Sequence, residues 1–137
     1  MAGIIELETL LKTLSPELQD GEFVFCTVAG ALCDYTRLNP VATFVEKEGL
    51  TLILPLGTAE EEGLAWNGTY RQITLGVHSS LDAIGLTAVV SKKLTSQGIS
   101  ANIVAACYHD HIFVQKEKAE IALNALRDLS VTPCQKE

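Results

Sequence analysis

Basic residues are scarce in this 137-residue sequence: 10 Lys and Arg stand against 17 Asp and Glu, a formal net charge of −7. Non-specific nucleic-acid binding uses Lys and Arg to displace counterions, so this balance argues against it. No exposed aromatic pair with basic neighbours can be picked out either, which disfavours an RNA-binding reading. No apolar run approaches ~20 residues, so no membrane span is expected. The opening Met-Ala-Gly-Ile-Ile-Glu has no basic stretch before an apolar one. A signal peptide is therefore not expected, and a cytoplasmic location is. The four cysteines, at 26, 33, 107 and 134, form no C-x-x-C pair and no zinc-like spacing. Cys26 and Cys107 lie in strand-like apolar runs and read as small core residues, with free thiols throughout. There is no P-loop and no G-x-G-x-x-G, so nothing cradles a nucleotide phosphate and no cofactor is expected.

What is present is apolar and patterned. Hydrophobic residues make up 47% of the chain, and the mean hydropathy is positive. That suffices for one core, or for two small subdomains, and excludes a disordered chain. It is slightly high for a small monomer, which points to apolar surface covered in a homo-oligomer, a dimer or higher.

In chain order, Ile4, Leu7, Leu10, Leu11 and Leu14 form one stripe and predict a helix over 4–13. Ser15-Pro16-Glu17 reads as a cap followed by a first-turn proline. Phe23 to Val28 predicts a buried strand, and 29–40 a polar loop. Ala42 to Glu46 and Leu50 to Leu54 flank Lys47-Glu48-Gly49 as a hairpin. Thr58-Ala59-Glu60-Glu61 is a capping box for a helix over 58–65, with Trp66 as a packing anchor. Asn67-Gly68 reads as a turn.

The second half predicts a strand at 71–77, a helix at about 81–97, strands at 99–107 and 112–115, and a helix at 117–129. Strand–helix–strand–strand–helix is the split βαβ, ferredoxin-like plan with its fourth strand missing. Ser130 to Pro133 is too short to supply it, so a strand from the first half is expected to complete the sheet.

Between the strand at 71–77 and the next helix lies His78-Ser79-Ser80-Leu81-Asp82-Ala83-Ile84-Gly85-Leu86-Thr87. The two serines fall where an N-cap belongs, and Asp82 puts an acid in the expected first turn. A strand that feeds a helix start through a polar turn aims free N–H groups at one point, a geometry that holds a carboxylate. Gly85 lets backbone or ligand approach closely, and Asn102 offers an oxygen to an ammonium. The candidate ligand residues are therefore His78, Ser79, Ser80, Leu81, Asp82, Ile84, Gly85 and Asn102. The plainer alternative is that the serines only cap a helix and Gly85 only allows helix–sheet packing.

Asp82-Ala83-Ile84-Gly85-Leu86-Thr87-Ala88, Leu94 and Gln97-Gly98-Ile99-Ser100 resemble the ACT domain, in which an Asp-x-x-Gly-Leu turn precedes a helix ending at Leu-x-x-x-Gly-Ile. With Glu48 to Leu54 and Tyr108 to Val114, the chain over roughly 5–130 resembles a bacterial family of small tandem ACT-like proteins. The resemblance implies an α+β fold of two pseudo-repeated ferredoxin-like halves that share strands, with antiparallel sheets and helices on one face. Residues 1–66 would be a degenerate N-terminal half, lacking the Asp-x-x-Gly-Leu turn and a long first helix, and 67–137 an ACT domain. It also implies a regulatory or ligand-sensing role, with an amino acid bound near the turn.

His109-Asp110-His111 also invites chemistry. At i and i+2 in a strand the two imidazoles share a face with Phe113 and Gln115, while Asp110, Ile112 and Val114 take the other. A metal held by His109 and His111, with His78 as a third ligand, would make a metal-dependent enzyme. Histidines on an open apolar face at a subunit contact are the simpler reading, and no metal is expected. A Ser–His–Asp hydrolase is poorer, because His109 and Asp110 point apart. The reading that results is a non-catalytic sensor of a small molecule, an amino acid by preference. The alternatives are a structural or protein-interaction module and the metal-dependent enzyme.

Overall fold

The computed structural model describes residue 3 and residues 5–131. Ile4 of the predicted first stripe, Cys134 and the tail from Pro133 to Glu137 lie outside the described residues. In chain order the elements are α1 (Leu7–Lys12), β1 (Pro16–Leu18), β2 (Phe23–Val28), β3 (Ala42–Val45), β4 (Leu50–Pro55), α2 (Leu56–Glu62), β5 (Tyr70–Leu75), α3 (Leu86–Ser96), β6 (Asn102–Ala105), β7 (Asp110–Gln115) and α4 (Ala119–Val131). Single 3-10 turns occupy Leu32–Asp34, Thr36–Leu38 and Lys116–Lys118. The chain divides into two compact units, one of Met1–Asp20 with Arg71–Glu137 and one of Gly21–Tyr70.

In the discontinuous unit, β7 lies between β5 and β6. β1 pairs antiparallel with β5 on its other side, Pro16 opposite Leu75 and Leu18 opposite Ile73. β1 is thus the fourth strand that the ferredoxin-like plan lacked, and it comes from the first half of the chain. Pro16 opens this strand, not a helix. A proline has no N–H to offer a ladder, and the first residue of an edge strand is where that does least harm. Ser15 ahead of it turns the chain with φ +51°. The helices cover one face: Leu10, Leu11 and Leu14, Val90 and Leu94, and Ala122 and Leu126 pack with Ile73, Leu75, Ile112 and Val114 in one buried cluster.

The continuous unit is a three-stranded antiparallel sheet in the order β3–β4–β2, with the β3–β4 hairpin presenting β4 to β2. Its register sets Val24 opposite Leu54, Cys26 opposite Leu52 and Val28 opposite Leu50. Period-two alternation therefore puts these side chains on one face. There they form a cluster with Leu38 and Ala59, and Trp66 and Leu64 pack against it. Burial raises the Cys26 thiol above its ordinary pKa. The capping box at Thr58 does not operate: α2 starts two residues earlier at Leu56, directly after Pro55, and ends on Gly63 in the left-handed region at φ +67°. Arg37 and Glu62 meet in a two-pronged pair with both N···O distances 3.0 Å.

Two burial expectations are corrected. Cys107 is exposed, because β6 stops at Ala105 and residues 106–109 close a hairpin through Ala106 N–H to His109 O, 3.1 Å. Phe113 is 1% exposed, so the strand face it shares with His111 is not an open apolar surface.

Candidate functional site

Val77 leaves β5 buried in the core at 6% exposure. Its N–H and that of Gly76 still bond back to Leu14 O and Ser15 O, at 3.2 and 2.8 Å. The chain then crosses to the β6–β7 hairpin. Ser79 N–H donates to Tyr108 O at 3.2 Å, and the Ser79 hydroxyl donates to Asp110 Oδ2 at 3.2 Å. His109 Nδ1 donates to Val77 O at 3.1 Å, and the rings of His78 and Tyr108 sit 4.8 Å apart. Ser79 is 5% exposed. It belongs to this seam and caps no helix.

The next residues fold on themselves. Asp82 N–H donates to Ser80 Oγ at 3.0 Å, and Ala83 N–H to Ser80 O at 3.0 Å. Gly3 lies against the same turn, since a Cβ there would meet Ser80 N at 2.6 Å and His78 Cδ2 at 3.0 Å. Leu81 and Ile84 are exposed at 66% and 85%, and Asp82 is exposed as well. α3 begins at Leu86, five residues after the predicted start at 81. Gly85 is its N-cap at φ +102°, with no side-chain cap. A serine cap was expected because the turn is polar. The backbone instead needs a left-handed residue before the helix, and glycine supplies it without steric cost.

The donors left for a ligand are therefore not those of the serines. The first bond inside α3 is Val89 N–H to Gly85 O, 3.0 Å. The N–H groups of Leu86, Thr87 and Ala88 thus precede the intrahelical ladder and carry the partial positive charge of a helix start. Leu7 packs beside Gly85, 3.3 Å from where a Cβ would stand. Asn102 is not at this end of the hairpin. It pairs with Phe113, three residues along β6 from the Ala105–Asp110 pair beside the turn, or ~10 Å at strand rise. Its side-chain amide donates to Phe113 O at 3.2 Å.

His109 and His111 share a face, with ring centroids 6.3 Å apart. His111 Nδ1 meets Thr74 Oγ1 at 2.9 Å and the Gln72 amide nitrogen at 3.1 Å, while Gln72 also donates to Thr74 at 3.3 Å. Nδ1 is thus an acceptor, and the proton of the neutral ring sits on Nε2. Burial, and then the neighbouring His109, hold the His111 pKa below the ordinary imidazole value, with Asp110 acting the other way. Among the described residues no group of three or more His, Cys, Asp or Glu could hold a metal. Ser79 touches Asp110 with no imidazole between them, so the order a Ser–His–Asp relay requires is not there.

Sequence reasoning expects the strands at 71–77 and 110–115 to be neighbours, with His78 near His109, but does not assign Tyr108, His109 and Asp110 as hydrogen-bonding or ring partners of the turn. The available signal was the ferredoxin-like strand order, which sets β5 beside β7 and brings 77–79 to 108–110.

Comparison with known proteins agrees with this architecture. One family model described as an ACT domain matches residues 2–71 and a second, also described as an ACT domain, matches residues 68–128. A Vibrio cholerae protein of unknown function, suggested to act in transport, is 56% identical over 90% of this chain and 95% of its own, with a TM-score of 0.84. The regulatory subunit of Thermus flavus aspartate kinase shares the fold at 10% identity and TM-score 0.60, covering 94% of this chain and 99% of its own. Escherichia coli aspartokinase III, bound to aspartate and ADP, shares it at 13% identity and TM-score 0.63, over 85% of this chain and 33% of its own. Among curated proteins none matches the sequence. The chain belongs to the ACT domain family, as two such domains in tandem.

Proposed function

We propose that the protein binds a free amino acid at the turn 78–85 and reports its level to a partner, without catalysing a reaction. A ligand-binding regulatory role is the general property of the family; the amino acid and the place are this proposal. The observation that carries it is the start of α3. A glycine N-cap makes no side-chain hydrogen bond to the N–H groups at the helix start, and the turn that leads to it is fixed on the hairpin. Such donors suit a carboxylate, and the exposed Asp82 in the same turn offers an acceptor for an ammonium. The protein acts as a cytoplasmic homo-oligomer in this reading, which the exposed Phe44 and Val45 on the edge strand β3 support, at 71% and 77%.

Thermal unfolding against the twenty amino acids, one at a time, tests the reading. A ligand of the folded state stabilises by ~2.7 kcal/mol at a hundredfold excess over Kd. One or a few amino acids are expected to raise the midpoint, and Ser80→Ala to weaken the effect by freeing Asp82 N–H. No shift with any of the twenty sinks the amino-acid assignment and favours the interaction-module reading, with β3 as its surface. The same experiment with zinc and manganese separates out the metal-dependent alternative.

A further inference from the structure

We propose that Asp110 is the positioning residue of the turn, holding it in binding shape before any ligand arrives. The link to binding rests on the reading above; the clasp itself rests on geometry alone. Asp110 opens β7 opposite Ala105, and β7 is anchored two and four residues later by Ile112 and Val114, both at 0% exposure. Its carboxylate is therefore placed by the core. It receives the hydroxyl of Ser79 at 3.2 Å, a residue 5% exposed whose hydroxyl would be left in the interior without an acceptor if Asp110 were cut away. Ser79 N–H and Val77 O are bound to Tyr108 and His109 in the same seam. Val77 O, Ser79 N–H and the Ser79 hydroxyl are thus all bound to the hairpin.

The consequence is a division of labour within the turn. Ser79 and Asp110 do not face the ligand; they orient the loop that leads to Gly85, where α3 begins. Asp110 forms no ion pair with Lys or Arg among the described residues. Its place is thus set by its strand and by Ser79, not by a countercharge, so an uncharged oxygen acceptor of the same shape can replace it.

Amide hydrogen exchange on the full, ligand-free chain tests this. Asp110→Ala is expected to speed exchange of the amides of residues 79–83 by roughly tenfold or more relative to those of β7 and α4, the scale of one lost hydrogen bond to a charged group. Asp110→Asn, which keeps an oxygen facing Ser79, is expected to restore slow exchange. Ser79→Ala breaks the same bond without stranding a buried hydroxyl, so it should speed the same amides by no more than Asp110→Ala does, with the double variant no worse than Asp110→Ala. The proposal is overturned if turn exchange is unchanged, if every amide speeds up by the same factor, or if Asp110→Asn does not rescue. If Asp110→Ala fails to fold, the comparison of Ser79→Ala with Asp110→Asn decides. Because no ligand is present, a positive result stands even if no amino acid binds, and a negative result removes the clasp while leaving the binding reading to its own test.

Discussion

His111 shows how much one side chain's protonation depends on what its neighbours can donate. Its Nδ1 accepts from Thr74 and Gln72, and a second proton on the ring would set donor against donor. Burial, reinforced by His109, lowers its pKa in the folded chain. The unfolded chain therefore takes the proton first as pH falls. The stability that depends on neutral His111 is complete above the ordinary imidazole value of ~6.5. It declines as pH drops from there to the lowered folded value and changes no further below it. Denaturant midpoints taken between about pH 8 and pH 5 should fall on acidification. His111→Asn, which can still accept from Thr74 but cannot titrate, should flatten that slope; an unchanged slope would assign the effect to another group. The strand and its alternation were legible here, since Ile112 and Val114 are in the core as the pattern requires. The burial of Phe113 was not, because period two tells which residues share a face and not whether that face meets water.

At the scale of elements, the strands were read more surely than the helix starts. β2, the β3–β4 hairpin and the order strand–helix–strand–strand–helix all follow from alternation and turn residues, which act locally. The sequence pattern starts α3 at 81, but it starts at Leu86, because Ser79 is drawn away by Asp110, a residue 31 positions distant in sequence. No local rule carries that contact. Pro16 misled for a similar reason: its use depended on whether β5 was there to pair with it. Two glycines in these elements should respond oppositely to alanine. Gly85 has φ +102°, and an added Cβ would lie 3.3 Å from Leu7 Cδ2, so Gly85→Ala should cost about 1–3 kcal/mol in backbone strain and crowding. Gly57 lies inside α2, and a Cβ there meets nothing within 4 Å. Gly57 stands in the first turn, so Gly57→Ala should stabilise by up to about 0.5 kcal/mol, less than the full penalty of a glycine in the middle of a helix. Urea unfolding of both variants checks the two signs together, and a destabilised Gly57→Ala would mean that α2 is not helical there.

For the molecule as a whole, the two ACT domains read from the family models do not coincide with the two units that pack. Residues 2–71 match the first family model, yet Met1–Asp20 belong with Arg71–Glu137 in one unit. The first twenty residues supply that unit with a strand, β1, and with Leu10, Leu11 and Leu14, buried to 4% exposure or less. Burying a leucine side chain fully contributes ~1.5–3 kcal/mol, so these three account for roughly 5–9 kcal/mol, set against the ~5–15 kcal/mol that keeps a domain folded. A chain beginning at Gly21 would also expose the edge of β5 that β1 covers, an open template for association. Such a chain should lose cooperative unfolding of the 71–131 elements and tend to aggregate, while a peptide of residues 1–20 added in excess should restore part of the lost signal in amide NMR spectra. Native-like chemical shifts for β5, β7 and α4 without residues 1–20 would show that the unit stands without them. In that case the strand exchange between the two halves would have no part in holding the site at residues 78–85.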